Sequence, residues 1–131
     1  MTLAEAAKIA FASEFSFYLK SHNFHWNVEG VNFQQYHQLF GTIYEEVYSS
    51  IDDFAEKIRA IGNYVPASYT RFSYLSEIND EVEILQPYDM LQELYSDNDK
   101  MLVVLKMTYD IAEQTGEHGL SNFLAERMDA H

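Results

Sequence analysis

The chain has 131 residues, is 47% hydrophobic, and carries a formal net charge of −13 from 21 acidic against 8 basic side chains. That length and apolar content suit one domain with its own core. The absence of cysteine rules out disulfides, thiolate metal sites and thiol nucleophiles together, so any metal must be held by nitrogen and oxygen. Apolar runs are short and interrupted by charge, which predicts no membrane span. MTLAEAAKIAFASEF has no basic segment followed by an unbroken apolar block, so no cleaved signal is expected and the cytoplasm is the expected compartment.

The first helix is predicted over roughly 2–28, with Leu3, Ala7, Ala10, Phe17 and Phe24 on one stripe. Glu29-Gly30 is expected to close it through a left-handed glycine. Asn32 then reads as the N-cap of a second helix. Leu39, Ile43, Val47, Ile51, Phe54 and Ile58 carry that helix to a stop at Gly62-Asn63. Residues 63–86 are less regular, with SYLSEI (73–78) as a short helix lying across the connection. Pro87 opens a third long helix, in which Leu91, Leu94, Met101, Leu105 and Met107 run to a stop near Gly116. A fourth helix begins around Gly119-Leu120, carries Leu120, Phe123 and Leu124, and is still helical in character at His131. The expected fold is all-α: one domain, 1–131, forming a four-helix bundle with a short extra helix between the second and third long ones.

Charge is concentrated. Between Phe72 and Asp99 lie Glu77, Asp80, Glu81, Glu83, Asp89, Glu93, Asp97 and Asp99, with no basic residue among them. Such a surface is either a solubilising face or a field that attracts cations. It repels phosphate backbones and, with no Lys/Arg-rich tail to offset it, argues against direct DNA binding.

The chemistry-bearing stretch is HNFHWNVEGVNFQQYH (22–37), followed by DDFAE (52–56). His25 and His37 fall five and seven residues either side of Gly30, so a helical hairpin turning there brings the imidazoles level. Asp52 and Glu56, spaced i, i+4, project from one helix face. Two imidazoles and two carboxylates suit iron. Taken singly, the same residues are more commonly helix histidines with satisfied hydrogen bonds and a solvated acidic pair. Trp26 reads as an interface or core aromatic, and His22 as a surface or supporting residue. Along one continuous helix His37 and Asp52 stand about 22 Å apart, so one chain cannot direct all four groups at one ion. A shared site needs two copies of the second helix crossing antiparallel near Tyr44 and Glu45, with a two-fold axis generating two equivalent sites per dimer.

The pattern His25-Trp26-Asn27-Val28, Gly30, Phe33, His37, with Asp52-Asp53-Phe54-Ala55-Glu56 after it, resembles the Dps family, the miniature ferritins. The resemblance extends over essentially the whole chain, including a terminal run of Leu124, Arg127 and His131. It implies a ferritin-like bundle assembled as a hollow homo-dodecamer with iron sites at its two-fold interfaces. In that reading His25 and His37 are ligands from one subunit and Asp52 and Glu56 from its partner, with Glu56 bridging or strongest. Trp26 stands beside the site as an acceptor of radical equivalents. The implied activity is a ferroxidase: Fe²⁺ is oxidised, preferentially by hydrogen peroxide, and stored as ferric mineral. Glu45 and Glu46 are nucleation candidates if they face inward.

Three departures qualify the resemblance. The acidic residue expected one turn after the second histidine is replaced by Gly41. This removes a ligand and costs about 1 kcal/mol in a helix relative to alanine. It leaves the second iron position weak, completed by water, or absent, and it opens the alternative of a structural or metal-sequestering cage with little ferroxidase activity. The fourth helix is short against that of relatives, and shortens the expected three-fold contacts. Acidic pore residues are not plain in GEHGLSNFLAE, where His118 and Asn122 stand instead.

Overall fold

The computed structural model describes residues 1–131. It is all-helical, with α1 Leu3–Asn27, α2 Phe33–Ala60, α3 Tyr69–Leu75, α4 Pro87–Gln114 and α5 His118–Ala130. The four long helices form the bundle and α3 lies across α1 between α2 and α4, as the periodicity predicts.

Each start and stop has a local cause. Thr2 caps α1 by accepting from the Glu5 N–H, while Glu5 accepts from the Thr2 N–H in return. Pro87 occupies the first turn of α4, where its missing N–H costs nothing. Gly62 and Gly116 adopt positive φ (87° and 76°) after α2 and α4. The following residues bond back, Asn63 N–H to the Ile58 carbonyl and Glu117 N–H to that of Ala112, closing both ends in the Schellman manner.

Three boundaries differ from the sequence expectation. Gly30 has φ 113° but does not cap α1; that helix has ended at Asn27 with Val28 extended, and Gly30 forms the interhelical turn. Asn32 occupies the N-cap position of α2 without a side-chain capping bond. The short helix is Tyr69–Leu75 rather than 73–78, because Ser68 caps it through the Arg71 N–H and the Ser76 hydroxyl takes the Ile78 N–H, drawing the chain out of the helix. Phe72 of α3 stacks on Phe15 of α1 at 4.5 Å, which pins the crossing helix to the bundle.

The core runs the length of α1, with Ala7, Ala10, Phe17 and Phe24 buried against Phe40, Val47, Phe54 and Ile58 of α2, Met101 and Leu105 of α4, and Leu120 and Leu124 of α5. Leu39 is the exception on the expected stripe of α2, being 41% exposed. Two buried cations cross this core. Lys20 reaches Asp97 (2.7 Å), Glu93 (2.9 Å) and the Asn79 carbonyl (3.0 Å). Arg127 of α5 reaches Glu14 of α1 at 3.0 Å and grips Glu46 of α2 with two bonds of 2.7 and 3.0 Å. His131 closes the same network, its ring nitrogens facing Glu14 and the Asn98 side-chain carbonyl. The terminal Arg127/His131 pair of the sequence therefore ties all four long helices together. Both carboxylate oxygens of Glu46 are engaged by Arg127.

Burial alone would push the Lys20 ammonium down, but its bonds to Asp97 and Glu93 outweigh that and hold it above its ordinary 10.5. A raised folded-state value contributes stability that is complete below 10.5 and lost as pH rises through the folded value. Lys20→Met should therefore cost about 3–5 kcal/mol in denaturant unfolding at neutral pH, because two carboxylates lose their buried partner. That difference should shrink only in strongly alkaline solution.

Candidate metal centre

Residue 25 lies in the last turn of α1 and residue 37 in the second turn of α2, and the Gly30 turn sets them side by side. Their rings stack with centroids 3.8 Å apart and planes inclined by 18°. The hydrogen bonds are reciprocal: His25 Nδ1 lies 2.7 Å from the His37 carbonyl, and His37 Nδ1 lies 2.7 Å from the His25 carbonyl. A carbonyl oxygen only accepts, so each Nδ1 carries the proton and donates it. In the neutral imidazoles each Nε2 is then the atom with a free lone pair, the state a metal ligand requires. The His25 carbonyl is also one of the orphan acceptors at the end of α1, and His37 satisfies it. Hairpin geometry and ligand tautomer thus have one cause.

An aromatic wall stands beside the pair. His22 is sandwiched between Trp26 and Tyr44, at 3.7 Å from each, and its Nδ1 lies 3.0 Å from the Tyr18 hydroxyl. Burial, and then the neighbouring His25, push the His22 imidazole below its usual 6.5. His22 is therefore occupied by aromatic partners and a hydroxyl. Trp26 remains 61% exposed, and Phe33 stacks on the outer side of His37 at 5.0 Å. Tyr44, whose ring type carries no ligand chemistry legible in one dimension, also approaches His25 at 5.0 Å.

The carboxylates form a second, separate cluster. Asp52, Asp53 and Glu56 are all exposed, and one ligand oxygen from each lies within 4.8 Å of the others. Asp53 is an addition to the expected pair, legible afterwards as an Asp-Asp step three residues ahead of Glu56. The two clusters sit on one unbroken helix, α2, with fifteen residues, about 22 Å, between His37 and Asp52. One copy of the chain does not bring them together.

Gly41 lies against the His25 ring. A Cβ there would come within 3.1 Å of both Cε1 and Nδ1 of His25. The glycine is the floor on which the His25 ring lies.

This fold is shared with known proteins. A ferritin-like domain model matches residues 5–131. The DNA protection during starvation protein 2 of Bacillus anthracis is 33% identical over 107 residues, covering 82% of this chain and 73% of that one. The crystal structure of a Dps protein from Bacillus brevis superposes with a TM-score of 0.92 at 26% identity, over 98% of this chain and 86% of its own. The Dps protein of Vibrio cholerae O1, described as a member of a broad superfamily of ferritin-like diiron-carboxylate proteins, shares the fold at a TM-score of 0.93 and 23% identity, covering 98% and 80%. The bundle is ferritin-like. Within that class the chain belongs to the Dps family, the miniature ferritins, a family of iron-binding storage and protection proteins.

The reciprocal bonds make a direct prediction. Nitrogen NMR of the imidazole rings in the metal-free protein should show Nδ1 protonated on both His25 and His37. His37→Ala should lower stability by about 0.5–1.5 kcal/mol, the net worth of one hydrogen bond. His25 should keep its tautomer in that variant, since its acceptor is backbone. An Nε2–H signal on either ring would contradict the arrangement.

Proposed function

We propose that the protein is a miniature-ferritin ferroxidase that takes Fe²⁺ as substrate at a site shared between two copies of the chain, oxidises it with hydrogen peroxide, and holds the ferric product inside a homo-dodecameric shell. The observation that carries this reading is the reciprocal His25–His37 pair, which protonates both Nδ1 atoms and leaves two Nε2 donors. Neutral imidazole nitrogen with carboxylate oxygen is a donor set that accepts iron and leaves positions open for an oxidant.

The carboxylates come from the partner copy in this reading. His37, Tyr44, Tyr48 and Asp52 recur along one stripe of α2. Two such helices crossing antiparallel at Tyr44 and Glu45 set His37 of each opposite Asp52 of the other. Tyr48 within the stripe is exposed (59%), and so are Trp26 (61%), Val31 (102%) and Phe33 (42%) near the histidine end. A group of this kind, beside charged residues, fits a protein–protein contact. Asp52 and Glu56 would then complete the coordination, and Asp53 would add negative charge at its margin.

Peroxide takes two electrons from two ferrous ions and, with two protons, leaves as two water molecules, so no hydroxyl radical is released. Trp26, beside the site, is positioned to take up a stray one-electron oxidant. The surplus of acidic side chains draws cations toward the surface and opposes a nucleic-acid partner. The rival reading is a sequestering cage that binds metal and oxidises it slowly, favoured by the lack of an acid at position 41.

Addition of Fe²⁺ and then peroxide should produce ferric absorbance that falls about tenfold or more in His37→Ala, at least the loss that follows removal of a ligand's supporting bond. Binding without oxidation in the native chain would select the sequestering cage. Sharing of the site is tested by mixing. His25→Ala/His37→Ala and Asp52→Ala/Glu56→Ala variants should each be inactive, whereas their co-assembled mixture should regain activity, because each mixed pair keeps one intact set. No recovery in a verified mixed assembly would exclude a shared site.

A further inference from the structure

We propose that Gly41 is a positioning residue of this centre: its missing side chain makes room for the His25–His37 pair, and an acidic residue at 41 would weaken metal binding rather than restore a ligand. The inference rests on the two-histidine site of the preceding subsection and reverses the obvious meaning of the glycine.

In α2 the carbonyl of residue 37 is the helical partner of the N–H of residue 41. His25 Nδ1 docks on that same carbonyl at 2.7 Å. A side chain at 41 therefore projects beside the point where the imidazole lands, and its Cβ would stand 3.1 Å from two ring atoms, tighter than ordinary van der Waals contact. The ring has little room to give way. One face lies against His37 at 3.8 Å, Tyr44 flanks it at 5.0 Å, and its edge is fixed by the bond that sets its tautomer. Any retreat from position 41 lengthens that bond and unstacks the pair. Carboxylate atoms beyond the Cβ would crowd the ring further and offer Nδ1–H a competing acceptor. The space at 41 thus keeps the two imidazoles in place as nitrogen donors, with borderline divalent ions, Fe²⁺, Co²⁺ and Zn²⁺, as the matching class.

The test uses the assembled protein, with Co²⁺ titrated under nitrogen and followed by its visible absorption, in the native chain, Gly41→Asp and Gly41→Ala. Both variants should bind at least tenfold more weakly than the native chain, and NMR should show His25 losing its ordered Nδ1–H. Unchanged or tighter binding by Gly41→Asp, with native binding intact, would overturn the inference and leave the proposed function standing. Absence of Co²⁺ binding by the native chain would overturn both. A metal-free readout covers a variant that folds poorly. Gly41→Ala should lower Tm, although alanine is the better helix former. Gly119→Ala, whose added Cβ meets only the Lys57 Nζ at 3.9 Å, should leave Tm unchanged or raise it. A higher Tm for Gly41→Ala would show that position 41 is an ordinary helix residue.

Discussion

Two hydrogen bonds, each from an imidazole Nδ1 to the other histidine's carbonyl, hold the end of α1 against the start of α2. They do three things at once. They satisfy an acceptor that the end of α1 would otherwise leave open, they fix the hairpin at the Gly30 turn, and they choose the tautomer that leaves Nε2 available. A histidine with any other partner for Nδ1 would meet one of these needs and lose the others. The motif spacing follows from this: residue 25 must lie in the last turn of one helix, residue 37 early in the next, and a glycine with φ 113° must reverse the chain between them.

The four long helices were legible because apolar residues recur at helical spacing and because glycine and proline mark the ends by mechanisms that need no tertiary context. Gly62, Gly116 and Pro87 act where the sequence places them. The short crossing helix was misplaced by four residues at its start because two serine hydroxyls, Ser68 and Ser76, decide it, and periodicity does not register such bonds. The proximity of His25 and His37 followed from the hairpin. Their reciprocal bonding did not, since it depends on ring orientation. At position 41 a sequence shows which side chain is missing and not that the His25 ring lies against the space. The convergence of Glu14, Glu46, Asn98, Arg127 and His131 is equally invisible in one dimension, the partners lying up to 117 residues apart.

Charge is partitioned in a way that bears on the chemistry. Of the 8 basic residues, Lys20 and Arg127 are buried, and each neutralises carboxylates that the bundle encloses, chiefly Asp97 and Glu14. Interior pairs of this kind cancel each other, so the net charge of −13 is carried by the outside of the molecule. A chain with this composition spends its few cations on holding helices in register and leaves the acidic face unopposed. The electrostatic field around it therefore concentrates divalent cations and disfavours polyanions, independently of which side chains finally bind the metal.

In the proposed arrangement, dividing the donors between copies also couples assembly to chemistry. An ion that binds only where imidazoles of one chain meet carboxylates of another stabilises the pair and not the separate copies, by the ordinary mass-action linkage between binding and association. The reverse holds as well. Apart, the acidic cluster on α2 is three exposed carboxylates and the histidine pair is two nitrogen donors, each a weak and unselective half-site. Free copies of the chain would then leave ferrous iron largely unbound, and peroxide would meet the metal where the enclosing surfaces, and Trp26 beside them, are already in place.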